Sequence, residues 1–220
     1  MKKSLKQSHN LGFLLTLAGV FLFWLTYRLI FRFPEWFDEI FVKAFVFGVP
    51  AWVYAYQTSK RKKSSDPMGF TTIGIWQGLF FGLCIGGFFQ FVAVLSLRLR
   101  GDVVMPSFTA IAPYFWTFLA LALMTAWWES LFFFGYVIGN LRDRKMSEVP
   151  VVAITTLVFL LFHAPLRFVL VGSAEQLVSQ LFVLSFFAIG QAILYLRTKS
   201  MYAITLSHML WGMVFLLYGV

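Results

Sequence analysis

Charge is what this chain of 220 residues has least of: Asp, Glu, Lys and Arg together make up only 12%. A soluble domain carries about 25%. With 60% hydrophobic residues, the shortfall excludes a water-soluble globule and leaves a membrane protein. Cysteine is nearly absent as well. The single Cys84 excludes an intrachain disulfide and any cysteine-rich metal site. Inside an apolar run it is expected to be a small packing residue. No HExxH sequence occurs, which removes the signature of a helical zinc protease. No linker, composition shift or evident repeat divides the chain. Residues 1–220 are therefore expected to form a single transmembrane domain.

What is present is phenylalanine, 28 copies of it, suited to lipid-facing and helix-packing surfaces. Apolar runs at about 11–33, 40–57, 70–97, 108–141, 149–162, 175–196 and 201–218 predict an all-α, polytopic bundle of about seven spans. The first run is too long for a signal-peptide core and is read as an uncleaved span. Pro50 is expected to kink the second. In the third, Gly74, Gly78, Gly82, Gly86 and Gly87 supply a smooth strip suited to close helix packing.

The net charge of +9 does not point to nucleic acid, because no basic, aromatic-interleaved face exists to hold one. Most Lys and Arg fall in segments 1–10, 58–69, 142–148 and 197–200, whereas segment 34–39 is acidic. The positive-inside rule then puts the N-terminus in the cytoplasm. Arg98, Arg100 and Arg167 are the exceptions on the outer side. The expected location is a bacterial cell membrane.

Glu129 sits in the middle of the fourth run, with no basic residue between Val103 and Leu141. A charge at that depth costs about 2.5–3.5 kcal/mol on insertion scales and is a functional-site hypothesis by default. His163 and His208 lie inside two later runs. At about 1.5 Å rise per residue, Glu129, His163 and His208 lie roughly 18, 21 and 12 Å from the inner ends of their spans. All three are expected to share one cavity that opens more easily to the inner side. Such a trio suits water activation: the carboxylate as general base, one imidazole orienting the water, the other stabilising an oxyanion or protonating a leaving amine. The same trio as a Zn²⁺ site is the alternative; otherwise no cofactor is expected. Bland roles stand beside these: a glutamate bonding neighbouring helices, a histidine capping a helix end before Ala164-Pro165, and a packing histidine.

The run Glu129 to Phe134-Gly135, then Phe159-Leu-Leu-Phe-His163, then Leu196-Arg-Thr-Lys-Ser-Met-Tyr-Ala-Ile-Thr-Leu-Ser-His208, resembles the CAAX prenyl protease/bacteriocin-processing (Abi, CPBP) family of intramembrane endopeptidases. The resemblance covers about 115–215; residues 1–110 match nothing specific. It implies Glu129 as the catalytic glutamate, His163 as its partner and His208 as the oxyanion residue. It also implies a membrane-associated protein or peptide substrate, prenylated in some members. Three positions depart from the family pattern. Its second Glu is Ser130, its Arg is Phe134, and its final Asn is Gly212. The first two changes remove an acid and a base together and leave no orphan charge. Gly212, one turn beyond His208, removes a side-chain donor that Trp211, Ser130 or Gln191 would have to replace.

The function this predicts is intramembrane peptide-bond hydrolysis by glutamate/histidine-activated water. The alternative is an inactive relative acting as a membrane binding, immunity or scaffold protein. A transporter would need a polar stripe along several spans. Here polar residues cluster around Glu129, the histidines and Gln176, Ser179, Gln180 and Gln191.

Overall fold

The computed structural model describes residues 2–31, 33–62, 66–70, 74–99, 101, 112–170 and 174–218. Seven long helices account for nearly all of them, and no strand occurs among the described residues. They are α1 (Lys2–Ile30), α2 (Glu35–Arg61), α3 (Ile75–Leu99), α4 (Phe115–Asp143), α5 (Glu148–Leu170), α6 (Ala174–Thr198) and α7 (Met201–Tyr218). Six of these, α1 to α6, are long and apolar enough among the described residues to cross a membrane. The seventh expected span is the 18-residue helix α7. The chain is a multi-pass membrane protein. Its outer surface is what lipid requires, with Phe80, Phe88 and Phe91 exposed in mid-span and Trp76, Tyr114 and Trp116 near helix ends.

Helix α4 is the axis of the bundle. Its most apolar window is 56% buried, against 17% for α1, and it meets α2, α5, α6 and α7. The helix α7 lies between α3, α4 and α6. Lipid tails give helices no hydrophobic reason to associate, so close approach through small residues has to do it. The third-span glycines supply that surface. A Cβ at Gly82 would stand 2.6 Å from the Ala203 carbonyl oxygen, and one at Gly86 3.0 Å from the Ser207 Cα. Gly78 abuts Ser200, while Gly87 faces open space and Gly74, at φ +72°, precedes the helix. Only the middle of the expected strip is therefore interface. Gly82→Ala is expected to push α3 off α7 and cost about 1–3 kcal/mol. Gly87→Ala should be neutral or stabilise by about 0.5–1 kcal/mol through helix propensity. Denaturant titration in detergent micelles compares the two, and equal effects would remove the interface argument.

Three expectations change. The helix α5 does not end at His163 but continues through Pro165 to Leu170. The irregularity expected at Pro50 takes the form of wide π turns just before it, at Asp38–Val42 and Ala44–Gly48. Pro50 itself sits in the first turn of the regular helix that follows, where its missing N–H is tolerated. Cys84 is exposed on α3 and is not a packing residue. The expected loop 98–107 and the start of the fourth span lie mostly outside the described residues.

Candidate active site

Glu129 ends the regular α-helical part of α4, and the chain continues as π turns over Ser130–Val137. Packed among α2, α5, α6 and α7, this segment buries every side chain it carries. Phe132, Phe133 and Phe134 are all fully buried. π turns within α-helices are frequently found at functional sites. Gly48 of α2 lets the backbone approach here, since a Cβ on it would meet the Trp128 ring at 2.9 Å.

The three groups singled out in the sequence meet. The Nε2 atoms of His163 and His208 lie 3.4 and 3.5 Å from the same oxygen, Glu129 Oε2. The His163 ring is fixed from behind, because its Nδ1 lies 2.8 Å from the Phe159 carbonyl oxygen. A carbonyl only accepts, so Nδ1 carries a proton, and in the neutral ring Nε2 presents a lone pair to the carboxylate. Two acceptors then face each other across 3.4 Å, an arrangement that a donor shared between them, or an imidazolium, makes favourable. Phe159 also stacks on the imidazole, with ring centroids 4.1 Å apart. The indole of Trp24 donates to the Phe162 carbonyl at 3.2 Å and ties α1 to this turn. On the other side, His208 Nδ1 lies 3.5 Å from Ser130 Oγ.

The fourth member of the cluster was missed in the sequence. Lys43 of α2, buried, donates to Glu129 Oε1 at 2.7 Å and pairs with Glu39 Oε2 at 2.6 Å. The hydroxyl of Thr125, one turn before Glu129, donates to the same Glu39 oxygen. Glu39 was read as part of an acidic surface loop; it is buried within the bundle. The signal was there: a lysine interrupting an apolar run four residues after a glutamate, a spacing that pairs them on one helix face. Two carboxylates against one ammonium leave one negative charge, which a proton on either imidazole balances.

The cavity that holds this cluster measures about 210 Å³ and is lined by Lys43, Glu129, His163, His208 and Gly212, with Arg28, Glu35 and Arg167 at one end. That end lies opposite the basic loops; on the basic-loop side, where the opening was expected, Phe47, Phe133 and Phe159 are buried in mutual ring contact. The departures from the family pattern are accommodated. Ser130 and Phe134 are fully buried and uncharged, as the loss of an acid–base pair requires. A Cβ at Gly212 would meet nothing within 4 Å. Of the substitute donors, Gln191 is committed to Ser207 Oγ at 2.7 Å and does not line the cavity. Trp211 lines it and stacks on Phe187.

The residues do not favour the zinc alternative. Both imidazole Nε2 atoms lie against the carboxylate oxygen itself, at 3.4 and 3.5 Å, and the ammonium 2.7 Å from Oε1 would repel a dication. Among the described residues no group of three His, Cys, Asp or Glu is arranged to hold a metal ion.

Helices packed around a buried Glu–His–Lys cluster at mid-span define a polytopic membrane protein with an ionisable site inside the bundle. Residues 111–214, which carry Glu129 and both histidines, match the family model for Rce1-like type II CAAX prenyl endopeptidases. The match, over 104 of the 220 residues, supports the assignment of this part of the chain to the CAAX protease family. No curated protein and no solved structure shows significant similarity to it.

Proposed function

We propose that the chain is a CAAX-protease-like endopeptidase that hydrolyses a peptide bond of a membrane-associated substrate at Glu129. The observation that carries the reading is the convergence of both imidazoles on the one oxygen, Oε2, that Lys43 leaves free. A water placed there donates one hydrogen to Glu129 Oε2 and the other to His163 Nε2, and so turns a lone pair toward the substrate carbonyl carbon. As that bond forms, the water's proton passes to the Glu129–His163 pair. The carbonyl oxygen becomes an oxyanion, stabilised by His208. The proton then moves to the departing amide nitrogen, the C–N bond breaks, and the acid and amine so formed exchange the remaining hydroxyl proton and leave as carboxylate and ammonium.

Lys43 fixes the orientation of the carboxylate and keeps it ionised at mid-span, and the Phe159 carbonyl holds the His163 tautomer. The cavity is smaller than the roughly 300–1,000 Å³ typical of small-molecule pockets, which suits a peptide bond and its flanking side chains better than a whole lipid. A bacterial plasma membrane is the proposed setting. The second reading, a non-catalytic binder, is favoured by Gly212, which offers no donor.

The test is cleavage of co-expressed membrane-protein substrates by detergent-purified protein, wild type against Glu129→Gln. Activity abolished by this near-isosteric change, with the folded fraction unaltered, supports hydrolysis at Glu129. Equal cleavage by both proteins would sink it.

A further inference from the structure

We infer that a groove between α1, α2 and α4 binds one anionic phospholipid of the cytoplasmic leaflet. Its phosphate lies at Arg61 and Gln57, and an acyl chain runs along Val53 and Val49. The groove shares no lining residue with the Glu129 cavity and is independent of the proposed reaction. Its shape, polarity and charge all point to this occupant.

The helix α1 packs on α5 and on the π turn Ala44–Gly48 of α2. Beyond that turn, from Val49 to Arg61, a space of about 560 Å³ lies between α1 and α2, with Tyr136 and Asn140 of α4 in its lining. Gly12 and Thr16 are its α1 side, and a Cβ at Gly12 would meet nothing within 4 Å. Val49 and Val53 in its α2 wall are 47% and 49% exposed, so the groove opens sideways toward lipid. Along α2, Arg61 and Val49 stand about 18 Å apart at 1.5 Å rise per residue. That is the depth of one leaflet, half of a hydrocarbon core about 30 Å thick. Spread over that length, 560 Å³ is a mean cross-section of about 31 Å². A helix 10–12 Å across would need roughly 80–110 Å². The space takes a lipid chain and not another span.

Polarity changes along the same axis. Val49, Pro50 and Val53 make the mid-membrane end, and Gln57, Thr58, Arg61 and Asn140 the interfacial end. Asn140 is buried and donates to the Tyr136 carbonyl at 2.9 Å. Gln57 is exposed, and a headgroup gives its carboxamide a partner that an alkyl chain cannot. Charge then selects the headgroup. Lys60, Arg61 and Lys62 stand at the inner end of α2, and Arg142, Arg144 and Lys145 at that of α4, six cations around one acid, Asp143. Arg61 pairs with Asp143, yet its side chain is 48% exposed. Its planar fork of donors suits a phosphate. Arg144 lies 4.3 Å over the ring of Phe13, which lines the groove. Basic residues near span ends are retained on the cytoplasmic side, where the leaflet carries anionic lipid.

Native mass spectrometry of the delipidated full chain tests this with three probes: phosphatidylglycerol, phosphatidylcholine of the same acyl chains, and glycerol phosphate. The expected result is one phosphatidylglycerol held per chain, about tenfold more tightly than phosphatidylcholine, and no glycerol phosphate. Gly12→Trp, which fills the groove, should abolish that retention. Gln57→Glu, an exposed change that repels a phosphate without filling space, should lower it about tenfold and serves if Gly12→Trp does not fold. Leu15→Trp, at a position of α1 that is 63% exposed and outside the groove, should leave it unchanged. Equal retention of the two lipids would overturn the inference, as would capture of glycerol phosphate alone. Wild-type retention by Gln57→Glu, or by a folded Gly12→Trp, would overturn it too. A dimer of chains that Gly12→Trp dissolves would mean that a second copy fills the groove, and the lipid site would fall. The readout needs no catalysis. Lipid held by a protein that cleaves nothing would leave the site standing and remove only the hydrolase reading.

Discussion

Lys43→Ala is expected to lower stability by about 3–5 kcal/mol, the range for removing one partner of a buried ion pair. The ammonium makes contacts of 2.6 and 2.7 Å with two carboxylates that are otherwise buried. Without it, Glu39 and Glu129 repel each other at a depth where water offers little relief, and protonating one of them is the only local remedy. The cost belongs to the orphaned charges and not to the lysine's packing, which a second variant separates. Lys43→Met in a Glu39→Gln, Glu129→Gln background removes all three charges together, and replacing a complete buried cluster is often close to neutral. Thermal unfolding in one detergent, run as a cycle, reads the difference as a coupling. A loss below about 1 kcal/mol for Lys43→Ala, the level of a surface pair, would mean that water already screens the cluster.

Gly212→Asn is the second large effect, expected to raise kcat about 10²–10³-fold, the reverse of deleting an oxyanion-hole donor. The room exists, since a Cβ on Gly212 meets nothing within 4 Å. The position is right as well: four residues after His208, on the same face of α7, it lines the cavity that holds Glu129. An amide there reaches toward an oxyanion formed beside His208. Because the donor acts on charge that develops only in the transition state, kcat should rise with KM little changed. An unchanged kcat in a folded variant would show that the oxyanion is already served. A rise confined to 1/KM would mean that the asparagine binds substrate and does not assist its reaction.

The sequence by itself determined the class of the molecule. Too little charge for a soluble surface, and apolar runs of membrane-spanning length, leave helices as the structure that satisfies every backbone group in lipid. It singled out Glu129, His163 and His208 as well, because an ionisable group within an apolar run has few innocuous explanations, and the structure brings the three together. Their comparable depths followed from residue counts at 1.5 Å per residue. The glycine strip was legible for the same reason, a periodicity along one helix.

What only the tertiary structure decided was lateral and local. The Glu39–Lys43 spacing marked a pair on one helix face, but its link to Glu129 was not legible, because the two lie 86 positions apart and neither run records the α2–α4 contact that joins them. Glu39 looked like loop because its acidic neighbours set the local average. His163 appeared to end a helix because Pro165 follows it, yet bundle packing carries α5 on to Leu170. The opening expected on the basic-loop side was misread for a related reason. Depth along a helix says how far a group lies from each face, but which face it communicates with depends on what fills the next turn on every neighbour. Here rings from α2, α4 and α5 meet on the basic-loop side of the cluster, a property of their mutual packing that no single run contains.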